Sequence, residues 1–206
     1  KLKVDGIESL ACLTELRSLK VPGIIDWNYA PMTVVVSFFS QLKKLEQVEI
    51  IMDRRYPSDE VVESLVNNNP NLHHLDISTT RILPPQNAEL SSKSLILIAN
   101  SFPKLTYIGI GNLTMFSSND ILQLVRKCPK LKHANFEKTR VDDTALAVMA
   151  QNCPDLEYLN ISGCGYSISP DSLDRLERDL PNLRIVDEDE EENFHSGPEL
   201  FFCSLM

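Results

Sequence analysis

Only seven glycines serve the 206-residue chain, and none stands in a phosphate-cradling loop. HExxH, GxSxG and paired-carboxylate motifs are absent as well, so the sequence offers catalysis no recognisable foothold and implies no cofactor. The five cysteines are odd in number, widely spaced and without a CxxC pair. That pattern fits neither a disulfide framework nor a zinc cluster, and it points to a reducing compartment, the cytosol or the nucleus. Long apolar runs are lacking too. Stretches such as Met32 to Phe39 fall far short of the roughly 20 residues that a spanning helix needs, and no charged-then-apolar leader opens the sequence. Basic residues are the minority, 20 Lys and Arg against 29 Asp and Glu, for a net charge of −9. With the cations scattered, no patch is available to neutralise nucleic-acid phosphates.

What the sequence does have is a repeat. The phrase Pro70-Asn71-Leu72-His73-His74-Leu75-Asp76-Ile77 returns as Pro103-Lys104-Leu105-Thr106-Tyr107-Ile108-Gly109-Ile110. It returns again as Pro129 through Phe136, as Pro154 through Ile161 and, reduced, as Pro181 through Val186, while degenerate copies run from Leu16 and from Leu45. The first leucines stand at 16, 45, 72, 105, 131, 156 and 183, giving steps of 29, 27, 33, 26, 25 and 27. Residues near Leu83-Pro84-Pro85-Gln86-Asn87 account for the long step, and adjacent prolines there read as a surface loop.

Each phrase ends in the period-2 alternation of a short strand, and the residues after it carry apolar side chains at helical spacing. Every unit therefore reads as strand, turn, helix. Asp142 or Asp143 caps the helix that carries Leu146, Met149 and Ala150; Ser58 precedes Val61, Val62 and Leu65; Ser118 precedes Ile121, Leu122 and Val125. Ser169-Pro170 opens the last helix with proline in the tolerated first turn. Three residues before each anchor stand Leu13, Leu42, Asn69, Phe102, Cys128, Cys153 and Leu180. A column that accepts Leu, Phe or Cys is a packing position, so Cys128 and Cys153 read as small buried hydrophobes rather than reactive thiols.

The period matches that of leucine-rich repeats. Cys128-Pro129-x-Leu131-x-x-Ala134-x-Phe136, followed by Val141-Asp142-Asp143-x-x-Leu146, resembles the cysteine-containing leucine-rich repeat of F-box proteins. Cys153-Pro154-x-Leu156-x-x-Leu159-x-Ile161-x-x-Cys164 resembles it more closely still. The resemblance covers residues 2 to 186 in rhythm and is sharp from Leu72 onward. It implies an α/β solenoid shaped as a horseshoe, with parallel strands on the concave face and helices on the convex face.

By this reading residues 1–186 form the repeat domain, of about seven units, and 187–206 form an acidic, flexible tail. Leu2 and Val4 fall at the last apolar strand positions of a unit, so the array begins inside a repeat and more protein is expected before it. Glu188 takes the final strand position where earlier units are apolar, which stops the stacking near Val186. The block from Asp187 to Glu192 self-repels and is solvated. Cys203-Ser204-Leu205-Met206 fits the C-a-a-X prenylation pattern, although no polybasic segment accompanies it, so membrane association is expected only if Cys203 is lipidated. Two Asn-x-Ser/Thr sequons, at Asn112 and Asn160, come without a leader and are not read as glycosylated.

Two residues after the anchors stand Ser18, Gln47, His74, Tyr107, His133, Tyr158 and Ile185, and two further on Lys20, Glu49, Asp76, Gly109, Asn135, Asn160 and Asp187. Strand alternation turns both columns away from the buried face. Rings flanked by Asp and Asn supply apolar area with polar handles, which suits a protein-binding surface. The candidate partner-binding residues are thus His74, Asp76, Tyr107, His133, Asn135, Tyr158 and Asn160. His74 and His133 are two strands apart, about 9–10 Å at the backbone, too far to share a metal ion.

The resemblance implies the substrate-recognition part of an F-box/leucine-rich-repeat protein, holding a target for an SCF-type cullin-RING ubiquitin ligase. No F-box helices are recognisable in these residues, so the ligase adaptor would be engaged only through an F-box outside this chain. The alternative is a stand-alone scaffold or regulator with an acidic tail that binds basic partners and has no link to ubiquitin.

Overall fold

The computed structural model describes residues 11–20, 30–51, 57–80 and 90–187. Seven three-residue strands alternate with six ten-residue helices among them. They are β1 (Ser18–Lys20), α1 (Met32–Gln41), β2 (Gln47–Glu49), α2 (Asp59–Asn68), β3 (His74–Asp76), α3 (Ser92–Ser101), β4 (Tyr107–Gly109), α4 (Ser118–Lys127), β5 (His133–Asn135), α5 (Asp143–Asn152), β6 (Tyr158–Asn160), α6 (Pro170–Asp179) and β7 (Arg184–Val186). The strands form one parallel sheet in sequential order β1 to β7. Parallel neighbours need a crossover, and here each crossover is the helix of the same unit. Successive helices pack on one another just as successive strands do, which is the α/β solenoid implied by the repeat.

Between the helix row and the sheet lies one continuous apolar core. The anchors Leu16, Leu45, Leu72, Leu105, Leu131 and Leu156 are buried in it, as are the middle strand residues Leu19, Val48, Leu75, Ile108, Ala134 and Leu159. The helices add one stripe each, for example Val61, Val62 and Leu65 in α2 and Ile121, Leu124 and Val125 in α4. The last helix is different. Only Leu176 of α6 is fully buried, and the rest of that helix is largely charged.

From Leu42 to Leu180 the column three residues before each anchor is the helix C-cap. Phe102, Cys128 and Cys153 donate their backbone N–H to the carbonyl four residues earlier, and their own carbonyls accept from the anchors Leu105, Leu131 and Leu156 at 3.0, 3.3 and 3.1 Å. The side chain at this corner is driven into the core. Both thiols lie against backbone carbonyls, Cys128 on Phe102 O and Cys153 on Cys128 O, and burial pushes each up to about 12. Desolvation disfavours the thiolate, so these cysteines pack rather than react.

Asn69, the one polar member of that column, is fully buried and has a specific task. Its Oδ1 accepts the Leu45 N–H of the preceding unit at 2.8 Å, while its Nδ2 donates to Leu65 O at 3.2 Å. Leu42, the C-cap of α1, adopts an extended φ/ψ of −87/108, unlike the −120/61 of Phe102. The usual carbonyl is thereby turned away from Leu45, and the asparagine supplies the acceptor a buried N–H requires.

Helix starts follow the expectation with one correction. Ser58, Asp142 and Ser169 are N-caps, the last with Pro170 at the first helical position. In α4 the cap is Ser117, not Ser118, because Asp120 completes a capping box with it. Ser118 instead sends its hydroxyl to Asp142 of the next unit. This cross-unit contact recurs: Asp59 accepts from Ser91 N and Ser91 Oγ at 2.8 and 2.6 Å, and Asp143 accepts from Ser169 N and Oγ at 2.8 and 2.9 Å. A carboxylate ladder therefore runs along the helix N-termini, where partial positive charge favours it.

The register of the last strand overturns part of the sequence reading. β6 pairs with β7 as Tyr158↔Arg184, Leu159↔Ile185 and Asn160↔Val186. The final unit lacks the residue that elsewhere separates anchor from strand, so Ile185 points toward the core and Arg184 takes its place in the outward column. Val186 likewise replaces Asp187 in the second column, and the strand ends there. The loop around Leu83 to Asn87, residues 2 and 4, and the tail from Glu188 with Cys203 lie outside the described residues.

Candidate protein-binding face

Among the described residues no helix covers the outward side of the sheet, so its side chains stand on an open face. Parallel register stacks the first outward column into a ladder of rings: His74↔Tyr107↔His133↔Tyr158. His74 and Tyr107 are closest, with centroids 4.0 Å apart and planes 13° from parallel. Tyr107 and His133 follow at 6.2 Å, His133 and Tyr158 at 6.3 Å. The Arg184 guanidinium lies over Tyr158 at 5.9 Å and ends the ladder with a cation–π contact. All four rings are half-buried, held by their neighbours yet open on one side.

Polar bonding divides the face in two. Toward β2 to β4 it is internally satisfied. Glu49 takes both His74 Nε2 at 2.8 Å and Lys20 Nζ at 2.7 Å, and the bond from His74, opposed by burial and aided by Lys20, holds its carboxyl below the usual range. Asp76 is only 5% exposed and accepts from Tyr107 OH at 3.0 Å and Ser78 N at 2.9 Å. Burial, with the Asp76 charge beside it, pushes the Tyr107 phenol above its usual range. The Asp76 carboxylate lies where a Cβ of residue 109 would be, which explains the glycine in that strand. Asp76 is thus less a handle for a partner than a brace for Tyr107.

Toward β5 and β6 the side chains keep bonding capacity. Asn135 Oδ1 accepts Glu137 N at 3.2 Å and Asn160 Oδ1 accepts Ser162 N at 3.0 Å. His133 and Tyr158 make the ring contacts described above. The sequon at Asn112 is closed off, because that side chain is buried, donates to Thr79 O at 2.9 Å and sits on a backbone with φ of 62°.

Of the seven candidate residues, six therefore reach the open face with at least half-buried accessibility, and Asp76 lies beneath it. Arg184 is the residue that sequence reasoning missed. The signal was available in the spacing Pro181-Asn182-Leu183-Arg184-Ile185-Val186, which is one residue shorter than Pro154 to Asn160. Among the described residues no His, Cys, Asp or Glu cluster has metal-binding geometry, and no helix is long and apolar enough to cross a membrane.

No family model matches the chain. F-box/LRR-repeat protein 4 of Bos taurus is similar in sequence, 26% identical over a region that covers 56% of this chain and 22% of that protein. Among solved structures, a chain of the Rad7 and Elc1 complex in yeast superposes with a TM-score of 0.60 at 16% identity, covering 82% of this chain and 43% of that one. The chain spans less than half the length of either relative. With seven parallel strands in sequential order and these two likenesses, the chain is a leucine-rich-repeat solenoid that resembles the F-box/LRR proteins.

Proposed function

We propose that this chain is a protein-binding module whose open sheet face recognises a target for an SCF-type ubiquitin ligase. The observation that carries the binding half of this reading is the ladder His74, Tyr107, His133, Tyr158. Four adjacent rings stand half-buried on a face that no described helix covers, and such rings supply large contact area at little conformational cost. The ligase half rests on the similarity to F-box/LRR-repeat protein 4. The yeast structure that shares the fold is that of a Rad7 and Elc1 complex. In this reading the repeats hold the target, and an F-box elsewhere in the full-length protein engages the ligase adaptor.

Affinity purification of the full-length protein from cells tests it. Recovery of cullin-RING components together with a target that accumulates when the protein is depleted is the expected result. Recovery of basic proteins that wash away in strong salt, with no cullin component, would instead favour the scaffold reading built on the Asp187 to Glu192 block.

A further inference from the structure

We propose that the β5 to β7 part of the open face is a donor strip, built to take an extended, carboxylate-bearing segment of a partner protein. This rests on the protein-binding reading above and specifies the chemistry of what is bound.

Hydrogen-bonding groups on these strands divide into spent and unspent. A backbone N–H can only donate, so the atoms that meet Glu137 N and Ser162 N must be the amide oxygens of Asn135 and Asn160. Each oxygen is thereby used on its own turn. The remaining polar atom of each amide is the NH2 group, a donor, and it is fixed in direction because the turn fixes the oxygen. The two asparagines face each other in register on adjacent strands, roughly 4.8 Å apart in the hydrogen-bonding direction. Beside them lie the Tyr158 hydroxyl, the His133 ring and the Arg184 guanidinium, and Arg184 has no carboxylate partner among the described residues.

Acceptors are scarce in the same strip. Glu137 is paired with Lys138 at 3.2 Å and Glu157 with Lys132 at 2.7 Å. Asp187 lies just past the end of β7 and is exposed. The carboxylates on β2 and β3 stand differently. There each carboxylate has donors of its own, Glu49 from Lys20 and His74 and Asp76 from Tyr107 and Ser78. Near β3 the carboxylates are already bonded, whereas β5 to β7 present two amide NH2 groups and the Arg184 guanidinium, groups that can only donate. Carboxylates supply acceptors with charge complementary to Arg184, and charge-assisted bonds to amide and guanidinium donors are the stronger kind.

The test is a titration of the isotopically labelled full chain, followed by NMR, with acetylated penta-glutamate and with matched penta-glutamine at constant ionic strength. The side-chain amide signals of Asn135 and Asn160 and the ring signals of Tyr158 should shift and saturate with the acidic peptide. The variant Asn135→Asp/Asn160→Asp keeps the oxygen that each turn needs while replacing the donor with an acceptor. It should weaken the acidic peptide by about tenfold or more, since a hydrogen bond to a charged group contributes that much, with an unchanged melting temperature. Equal shifts from both peptides, shifts centred elsewhere, or an unchanged affinity in the variant would overturn the proposal. A partner that is lost on His133→Ala/Tyr158→Ala yet indifferent to the Asp variant would leave the binding face standing and remove the donor strip.

Discussion

Replacing Gly109 with alanine makes the sharpest demand on the structure, because its sign depends on one neighbouring side chain. A Cβ at this position would overlap Cγ and both oxygens of Asp76, closer than real Cβ atoms approach anything. Asp76 must then leave its place, breaking its bonds with Tyr107 OH at 3.0 Å and Ser78 N at 2.9 Å. Bonds to a charged group contribute about 1.5–3 kcal/mol each. The displaced carboxylate regains water, so the loss falls mainly on the two donors left behind, of which Ser78 is buried. Alanine returns about 0.4–1 kcal/mol by restricting the unfolded chain, because Gly109 does not occupy a left-handed conformation. The balance is a destabilisation of about 2–3 kcal/mol, read as a urea midpoint lower by about 1–1.5 M for an m-value near 2 kcal/mol/M. In an Asp76→Ala background the obstacle is gone, and Gly109→Ala should become neutral or slightly stabilising. Equal destabilisation in both backgrounds would refute the reasoning, since the coupling energy of the cycle would then be zero.

The carboxylate ladder predicts acid sensitivity. For Asp59 and Asp120, burial works to raise the carboxyl but serine hydrogen bonds outweigh it, and for Asp143 the Ser169 N–H leads, so all three lie below their ordinary 3.8. A group depressed in the folded state stabilises above its unfolded value and loses that contribution as pH falls through the folded one, so urea midpoints should drop on acidification below about pH 4, and less so in Asp59→Asn/Asp143→Asn. Asn69→Leu, which matches its apolar column, should nevertheless cost about 1–3 kcal/mol by orphaning Leu45 N–H, visible in the same denaturation assay. Iodoacetamide should label exposed Cys12 in the native protein and spare Cys128, Cys153 and Cys164 until it unfolds, as peptide mass spectrometry would record. Cys153→Ala should cost about 1 kcal/mol and leave partner binding unchanged.

The parts of the molecule legible in the sequence were those that repeat. Anchors such as Leu72 and Leu105 recur because every unit must fill the same place in the core, and Ser58, Asp142 and Ser169 recur because every helix must satisfy its first N–H groups. Where one unit compensates for another, periodicity is silent. Asn69 looks like an error in an apolar column until Leu42 is seen to turn its carbonyl away from Leu45. Ser118 looks like a cap until Asp120 is seen to choose Ser117. In the candidate site the outward columns followed from strand alternation, and with them the ring ladder. The burial of Asp76 beneath Tyr107 did not, because it depends on Gly109 leaving room one strand away. Arg184 was hidden by a single missing residue in the last unit, where β7 has a partner on one side only among the described strands.

The central claim is that the open face of the sheet binds a protein. Its most direct test is the affinity of the full-length protein for a target recovered with it, compared with that of His133→Ala/Tyr158→Ala by isothermal calorimetry. Both rings are half-buried on the uncovered face and neither contributes to the core between sheet and helices, so circular dichroism and the melting temperature should stay near wild type. The account predicts that affinity falls by at least about tenfold, as the loss of two central ring contacts implies. An unchanged affinity in a folded double variant would contradict it and move the binding surface off this face.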